Sequence, residues 1–354
     1  MNEARSFRNA VIQVAAGLLV VAGTLAASRV WEAIDLIRFA LCWAGVLIAL
    51  DGLARARRGS SPLARPLDWI ACGAASVVFW DLFELLDLRL RNWWYTGVSP
   101  DAFSGAAFGA VCFATVLPAV RLGLAALTPR EEPAPATTSA PRPAALLLAG
   151  LACLALATAF PKVAFPLAWL FLWPLCEAAA ALLPRGNGLP TPLEARPDPR
   201  LIRRLLLLAL PLGLTWESLN WGCERGWFYT VPHFERPKLF EMPLAGYLGY
   251  LPFLLEAGAA LALLDRLRPH LRGLRGAAAL ATVLGLHLGA DALTRGRTVV
   301  SFAPYDSQGV PPEVLALERK THMGLARALL VARRGWDALD DDPALVRVWM
   351  DKVR

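Results

Sequence analysis

Residues 9–28 form a predominantly apolar run, and comparable blocks follow at 34–54, 68–88, 102–127, 144–161, 163–183, 203–221, 243–265 and 276–293. A hydrocarbon core about 30 Å thick calls for about 20 apolar residues in a helix. Backbone polar groups in hydrocarbon must be bonded within their own segment, which makes helices of these blocks. The strands of a membrane barrel would alternate apolar and polar residues, and no block does so. The chain therefore reads as an all-α, polytopic transmembrane helical bundle whose first partner is a lipid bilayer. Composition agrees: 56% of the 354 residues are hydrophobic and only 18% charged, against roughly 25% charged in soluble domains.

The blocks organise the rest. Residues 1–128 form a first four-span unit, 129–143 a Pro-, Thr- and Glu-containing flexible linker, and 144–267 a second four-span unit. Segment 268–293 holds a weak ninth span or a re-entrant helix, because 276–293 is short and carries His287 and Asp291. Residues 294–354 read as a soluble tail, with helices expected at 312–334 and 343–352 forming a hairpin. Asp342 before Pro343 and Gly335 after the first helix supply its boundaries. Such a tail suits docking of a protein partner better than chemistry.

Orientation follows from Lys and Arg. Arg5, Arg8, Arg55, Arg57, Arg58, Arg65, Arg130, Arg142, Arg185, Arg196, Arg200, Arg203, Arg204, Arg266, Arg268, Arg272 and Arg275 fall on one set of alternate loops, and far fewer on the other. The bias places the N-terminus in the cytoplasm, with a bacterial inner membrane as the expected location. The 9–28 run resembles a cleavable signal but is read as a retained first span, because it has a counterpart at 144–161. A full ninth span puts the tail outside; a re-entrant one leaves it inside. The net charge of +7 needs no nucleic acid, since inner-loop Arg explains it. Six cysteines, Cys42, Cys72, Cys112, Cys153, Cys176 and Cys223, lie in or beside apolar blocks without C-x-x-C spacing, as buried free thiols do.

Two stretches recur in order. Phe39-x-Leu41-x-Trp43 with Asp51 matches Phe165-x-Leu167-x-Trp169 with Glu177. Trp80-Asp81-x-x-Glu84 matches Trp216-Glu217-x-x-Asn220, and Trp93-Trp94-Tyr95-Thr96 matches Trp227-Phe228-Tyr229-Thr230. Several matches in one order indicate duplication. Four spans per copy makes the two repeats parallel, related by an axis along the membrane normal.

A carboxylate at bilayer depth costs about 2.5–3.5 kcal/mol on insertion scales, so each needs a partner, water or a task. Asp51, Asp81, Glu84, Glu177, Glu217 and Glu256 are the intramembrane acids, whereas Asp87, Arg89 and Asp265 at span ends read as solvated. Asp81 with Glu84, and Glu217 with Asn220, share helix faces. Either these groups tie helices together, or both faces look into one central chamber. Pro252 should kink the eighth span, with Glu256 one turn below the break. His287 and Asp291 stand four apart, which suits either a shared metal or a His–Asp bond between helices. With only four histidines in the chain, a histidine-rich metal centre is not expected and none is assigned. No P-loop, G-x-G-x-x-G turn or G-x-S-x-G elbow occurs, and no cofactor is called for.

Duplicated multi-span units with a Trp-x-Tyr after a carboxylate-bearing helix, then a Pro- and Glu-containing entry to the next span, resemble the lycopene cyclase domain family of carotenoid biosynthesis. Phe240-Glu241-Met242-Pro243-Leu244 with Gly246-Tyr247-Leu248-Gly249 is similar to a signature of multi-span bacterial membrane proteins of unassigned role. About 40 residues, 216–256, carry the likeness. The chain departs from the cyclases in having four spans per unit rather than three and a lone Glu241 where they show Pro-Glu-Glu. The resemblance implies an isoprenoid or other hydrophobic small molecule, cyclised or isomerised by a buried carboxylic acid, with aromatic faces stabilising the carbocation. It makes Glu217 the acid, with Glu241, Glu84 and Asp81 as the further catalytic candidates. Trp80, Trp94, Tyr95, Trp216, Asn220, Trp221, Trp227, Tyr229 and Glu256 are then the substrate-binding set. Two other classes remain open on the residues alone: a non-catalytic lipid- or pigment-binding subunit of a larger complex, and a transporter.

Overall fold

A computed structural model describes residues 2–99, 101–138, 142–186, 188–223, 225–233 and 237–299. The expected tail hairpin lies outside the described residues. Among them the chain is mostly helical, and six helices are long and apolar enough to cross a membrane: Arg5–Ala27, Arg38–Arg58, Pro66–Leu90, Ala102–Leu127, Leu244–His270 and Leu274–Thr298. Outward faces are apolar while acids are hidden: Leu148 is 68% exposed and Leu207 59%, whereas Glu177, Glu217 and Glu256 are each 0% exposed. That inversion suits hydrocarbon and would be ruinous in water.

The elements run α1 (Asn2–Ala27), α2 (Glu32–Asp35), α3 (Arg38–Arg58), α4 (Pro66–Leu90), β1 (Trp93–Tyr95), α5 (Ala102–Phe113), α6 (Val116–Leu127), α7 (Pro143–Ala159) and α8 (Leu172–Ala181). There follow α9 (Arg200–Asn220), β2 (Trp227–Tyr229), β3 (Lys238–Leu239), β4 (Met242–Pro243), α10 (Tyr250–Leu267) and α11 (Leu274–Thr298). Pro66 and Pro143 open α4 and α7 in the first turn, where the missing N–H costs nothing. Gly59, at φ 78°, closes α3 in the left-handed conformation.

Three segments are broken at one spacing. Proline clashes with the carbonyl four residues back, and Pro118, Pro174 and Pro252 place that point at Ala114, Leu170 and Leu248. There α5 hands over to α6, the 3-10 turn Phe165–Trp169 to α8, and the 3-10 turn Leu244–Gly249 to α10. The freed backbone groups find side chains. Ser76 donates to the Phe113 carbonyl at 2.5 Å and accepts from Leu117 N–H at 3.0 Å. Glu256 accepts from Leu172 N–H at 2.8 Å.

One end of the bundle is closed by charge. Arg266 and Arg185 bind Glu194, Arg200 and Arg204 bind Glu132, Arg65 and Arg268 bind Asp68, and Arg121 binds Asp265. The described part of the 129–143 stretch meets this end: Arg185 reaches Thr137 and the Thr138 carbonyl, and Thr138 N–H donates to Glu194 O. Two acids expected to be solvated are not. Asp265 takes Arg121, and Asp87 is 0% exposed and accepts Asn92 N–H, which lets Arg91 turn the chain at φ 54°. Arg89 donates to the Thr158 carbonyl.

The other end is closed by the antiparallel ladder of β1 on β2, with Trp93 opposite Tyr229, Trp94 opposite Phe228 and Tyr95 opposite Trp227. Helix α11 joins the two ends. It follows Arg268, which binds Asp68 at the start of α4, and finishes with Val299 bridged to Tyr95. It packs alongside α4.

Helix α1 touches the bundle almost entirely through α3, by small residues: a Cβ on Gly45 would lie 2.7 Å from Gly17 O and 2.9 Å from Val21 Cγ2. Gly45→Leu should lower the stability of the full chain in detergent by about 1–3 kcal/mol or more. Gly23→Leu, where nothing lies within 4 Å, should leave the thermal midpoint unchanged. At the charged end, burial pushes the Glu194 carboxyl up, but the Arg266 hydrogen bond, Thr191 N–H and the neighbouring charges hold it below its usual range. This contribution to stability is therefore complete above the ordinary glutamate value of about 4.3. It fades only as pH falls through the lowered one. Hydrogen exchange of 188–200 should stay protected through mild acid and be higher in Glu194→Gln wherever the wild-type carboxyl is ionised, the difference closing once pH falls below the lowered value.

Candidate functional site

The ladder end holds two adjoining chambers. Chamber one, about 130 Å³, is enclosed by α4, β1, α5, β2 and α11; chamber two, about 440 Å³, lies where the three proline breaks leave the helices apart. Trp80, Trp93, Trp169, Trp216 and Tyr229 line both and form the partition between them. Trp216 meets Phe39 edge-on at 4.7 Å and Trp227 at 5.2 Å, so the wall is a packed aromatic cluster rather than an interfacial belt.

Glu84 reaches chamber one from the last turns of α4. Its Oε1 accepts three bonds: from Trp80 Nε1 at 2.8 Å, Trp93 Nε1 at 3.2 Å and Tyr95 Oη at 2.5 Å. All three converge on one oxygen. One turn earlier, Asp81 meets His287 of α11, with Nδ1 to Oδ1 at 3.0 Å. Nε2 of His287 faces the Ala106 carbonyl at 2.9 Å and must carry hydrogen, since that oxygen only accepts. One further proton is thus shared between Nδ1 and Asp81. Arg225 adds charge to the rim: Nε donates to Gly97 O at 2.8 Å, and the guanidinium lies 4.5 Å over the Phe108 ring.

Of the residues expected at a site, Asp81, Glu84, Trp80, Tyr95, Trp216, Trp227 and Tyr229 line chamber one together. Glu217 does not. It is sealed behind two phenols, with Oε1 accepting from Tyr229 and Tyr250 at 2.7 Å each. Asn220 is a backbone clasp, bonded to both the N–H and the carbonyl of Trp227 at 3.0 and 2.7 Å. Glu256 caps α8, Glu241 is buried but lines neither chamber, and Trp94 donates to Thr230 at 3.0 Å. Trp221 is 61% exposed, because the chain turns outward at the end of α9.

Glu84 accepts from Tyr95 of β1 and Glu217 from Tyr229 of β2, while Asp87 accepts Asn92 N–H and Asn220 accepts Trp227 N–H. Trp43 meets Trp216 at 4.9 Å, and Trp169 meets Phe83 at 5.2 Å.

Sequence reasoning left out Phe39, Trp93, Trp169, Phe108, Phe113 and Arg225, all of which line chamber one. Trp93 and Trp169 sat in the matched motifs and carried a signal; Phe108, Phe113 and Arg225 carried none. Asp291, the neighbour considered for His287, pairs instead with Arg295. Among the described residues no group of three or more His, Cys, Asp or Glu is placed to hold a metal ion. The chain matches no protein-family model, no curated protein and no solved structure.

Replacing Asn220 with Leu strands the Trp227 N–H and carbonyl in a buried turn. It should cost about 2–6 kcal/mol, each of the two stranded groups contributing ~1–3, whereas Trp221→Ala should cost under about 0.5 kcal/mol. Thermal unfolding of the purified full chain reads both.

Proposed function

We propose that this protein binds a hydrophobic, isoprenoid-like molecule inside the membrane and carries out acid-initiated cyclisation or isomerisation on it, with Glu84 as the acid. The observation that carries this is the setting of Glu84, whose Oε1 takes three donors while its side chain lines an aromatic-walled chamber at membrane depth. A carboxylic acid there delivers the Oε2 proton to a double bond: the π bond breaks and a new C–H bond forms. The three donors steady the carboxylate left behind. The faces of Trp80, Trp216 and Trp227 then stand by the cation. The likeness to lycopene cyclases supports the reaction class, with Glu84 taking the place first given to Glu217. The sealed Glu217, Glu256 and Asn220 position walls, and Glu241 belongs to the same supporting group.

Around this site we place two parallel four-span units and a ninth span, α11. The two-fold ladder and the matched contacts of Glu84 with Glu217 support the duplication, and the depth of α11 supports the ninth crossing. With the basic loops in the cytoplasm of a bacterial inner membrane, the ladder and chamber one lie toward the outer side. A non-catalytic pigment-binding subunit is favoured by one fact: His287, Asp81 and Arg295, which ring the chamber, already have protein partners.

Expression in a lycopene-accumulating bacterium separates the two. The wild-type chain should change the pigment, Glu84→Gln should reduce conversion by about 10²–10⁴, and Glu217→Gln should lower it only a few-fold. Unchanged pigment after confirmed membrane insertion would leave the binding-subunit reading.

A further inference from the structure

Chamber two is larger than chamber one and differs from it in kind. Besides aromatic rings it is walled by Val116, Ala119, Val120, Leu170, Leu212 and Leu254, and no acid or base lines it. Its rim holds Pro166 of one 3-10 turn with Ala245 and Leu248 of the other; all three are exposed, Leu248 to 65%. Leu248 lies in the first turns of the membrane-crossing segment Leu244–His270, so the opening faces lipid tails. The opposite wall is the Trp80–Trp216 partition, behind which Glu84 waits.

We infer that chamber two is a hydrocarbon-chain pocket, filled sideways from the bilayer through a portal between the turns Phe165–Trp169 and Leu244–Gly249. Its occupant is the hydrocarbon tail of a single-chain isoprenoid, the molecular class of the function proposed above. Size selects one chain. Taking roughly 30 Å³ for each non-hydrogen atom, the share of a molecule in liquid water, the 440 Å³ chamber holds about fifteen such atoms. That fits one tail of about fifteen carbons rather than the two longer chains of a phospholipid. A longer polyene fits by one end, with the remainder left in the bilayer through the portal. The proline breaks supply the room: Val116, Leu170 and Tyr250, each within two residues of a break, all line it.

The test uses the full chain in vesicles with a diazirine-bearing farnesol analogue, irradiated and mapped by peptide mass spectrometry. Saturable crosslinks are expected in 116–120, 165–170 and 245–254, at least five-fold reduced by excess farnesol and unaffected by added phospholipid. Leu248→Trp at the mouth should reduce them about five-fold without disturbing the core, and Ala119→Phe should do the same from inside. Crosslinks spread over the outward faces of α1 and α7 that farnesol does not displace would overturn the pocket. So would labelling that ignores Leu248→Trp. Glu84→Gln should label like the wild type, which keeps the two ideas apart. Saturable labelling with no pigment conversion removes the catalytic reading and leaves the pocket; conversion without saturable labelling does the reverse.

Discussion

Carboxylates folded into a lipid-embedded bundle have no water to turn to, and the helices are arranged around supplying them with hydrogen. Glu84 takes two indoles and a phenol, Glu217 takes two phenols, Glu256 takes the N-terminus of α8, and Glu177 takes Trp173 Nε1 and Leu193 N–H. Hydrogen bonds to charged groups are worth about 1.5–3 kcal/mol each, enough for two or three of them to offset the insertion cost of the acid. Trp80 and Trp173 serve acids one turn along their own helices, but the other donors come from other segments, so meeting this need also fixes the tertiary structure. Tyr95 and Tyr229 are held by the ladder, and the ladder exists because Trp93–Tyr95 and Trp227–Tyr229 pair.

Broken helices are the second consequence. A proline that forbids one backbone bond obliges a neighbouring side chain to serve the freed groups, and Ser76 and Glu256 do so at two of the three breaks. The bundle consequently stays open at that level, and chamber two is the resulting gap. Cavity and polar anchoring are thus two faces of one event, which is why a large apolar void sits a single aromatic layer from a buried acid.

Much of this could be read in the sequence, and the failures have identifiable physics. The helices were legible because hydrocarbon thickness demands blocks of a fixed length, and the Pro252 break because ring sterics are local. The ladder was foreshadowed by Trp93-Trp94-Tyr95-Thr96 and its counterpart. The bond between His287 and Asp81 was not, since 206 positions separate them and no spacing rule reaches that far. Asp87 was misjudged because a helix end looks solvated, but the turn into β1 needed its oxygen.

The two acids beside the ladder are alike in bonding and unlike in surroundings. Glu217 takes two phenols on Oε1, Trp227 turns its Nε1 to one of them, and the acid lines neither chamber. Glu84 takes two indoles and a phenol on Oε1 and lines chamber one. Under the proposed function that difference makes Glu84 the acid that meets the ligand and Glu217 a support for the wall. Trp216, Trp227 and Tyr229 carry that wall into chamber one, and Tyr229, which donates to Glu217, ties the sealed acid directly to it.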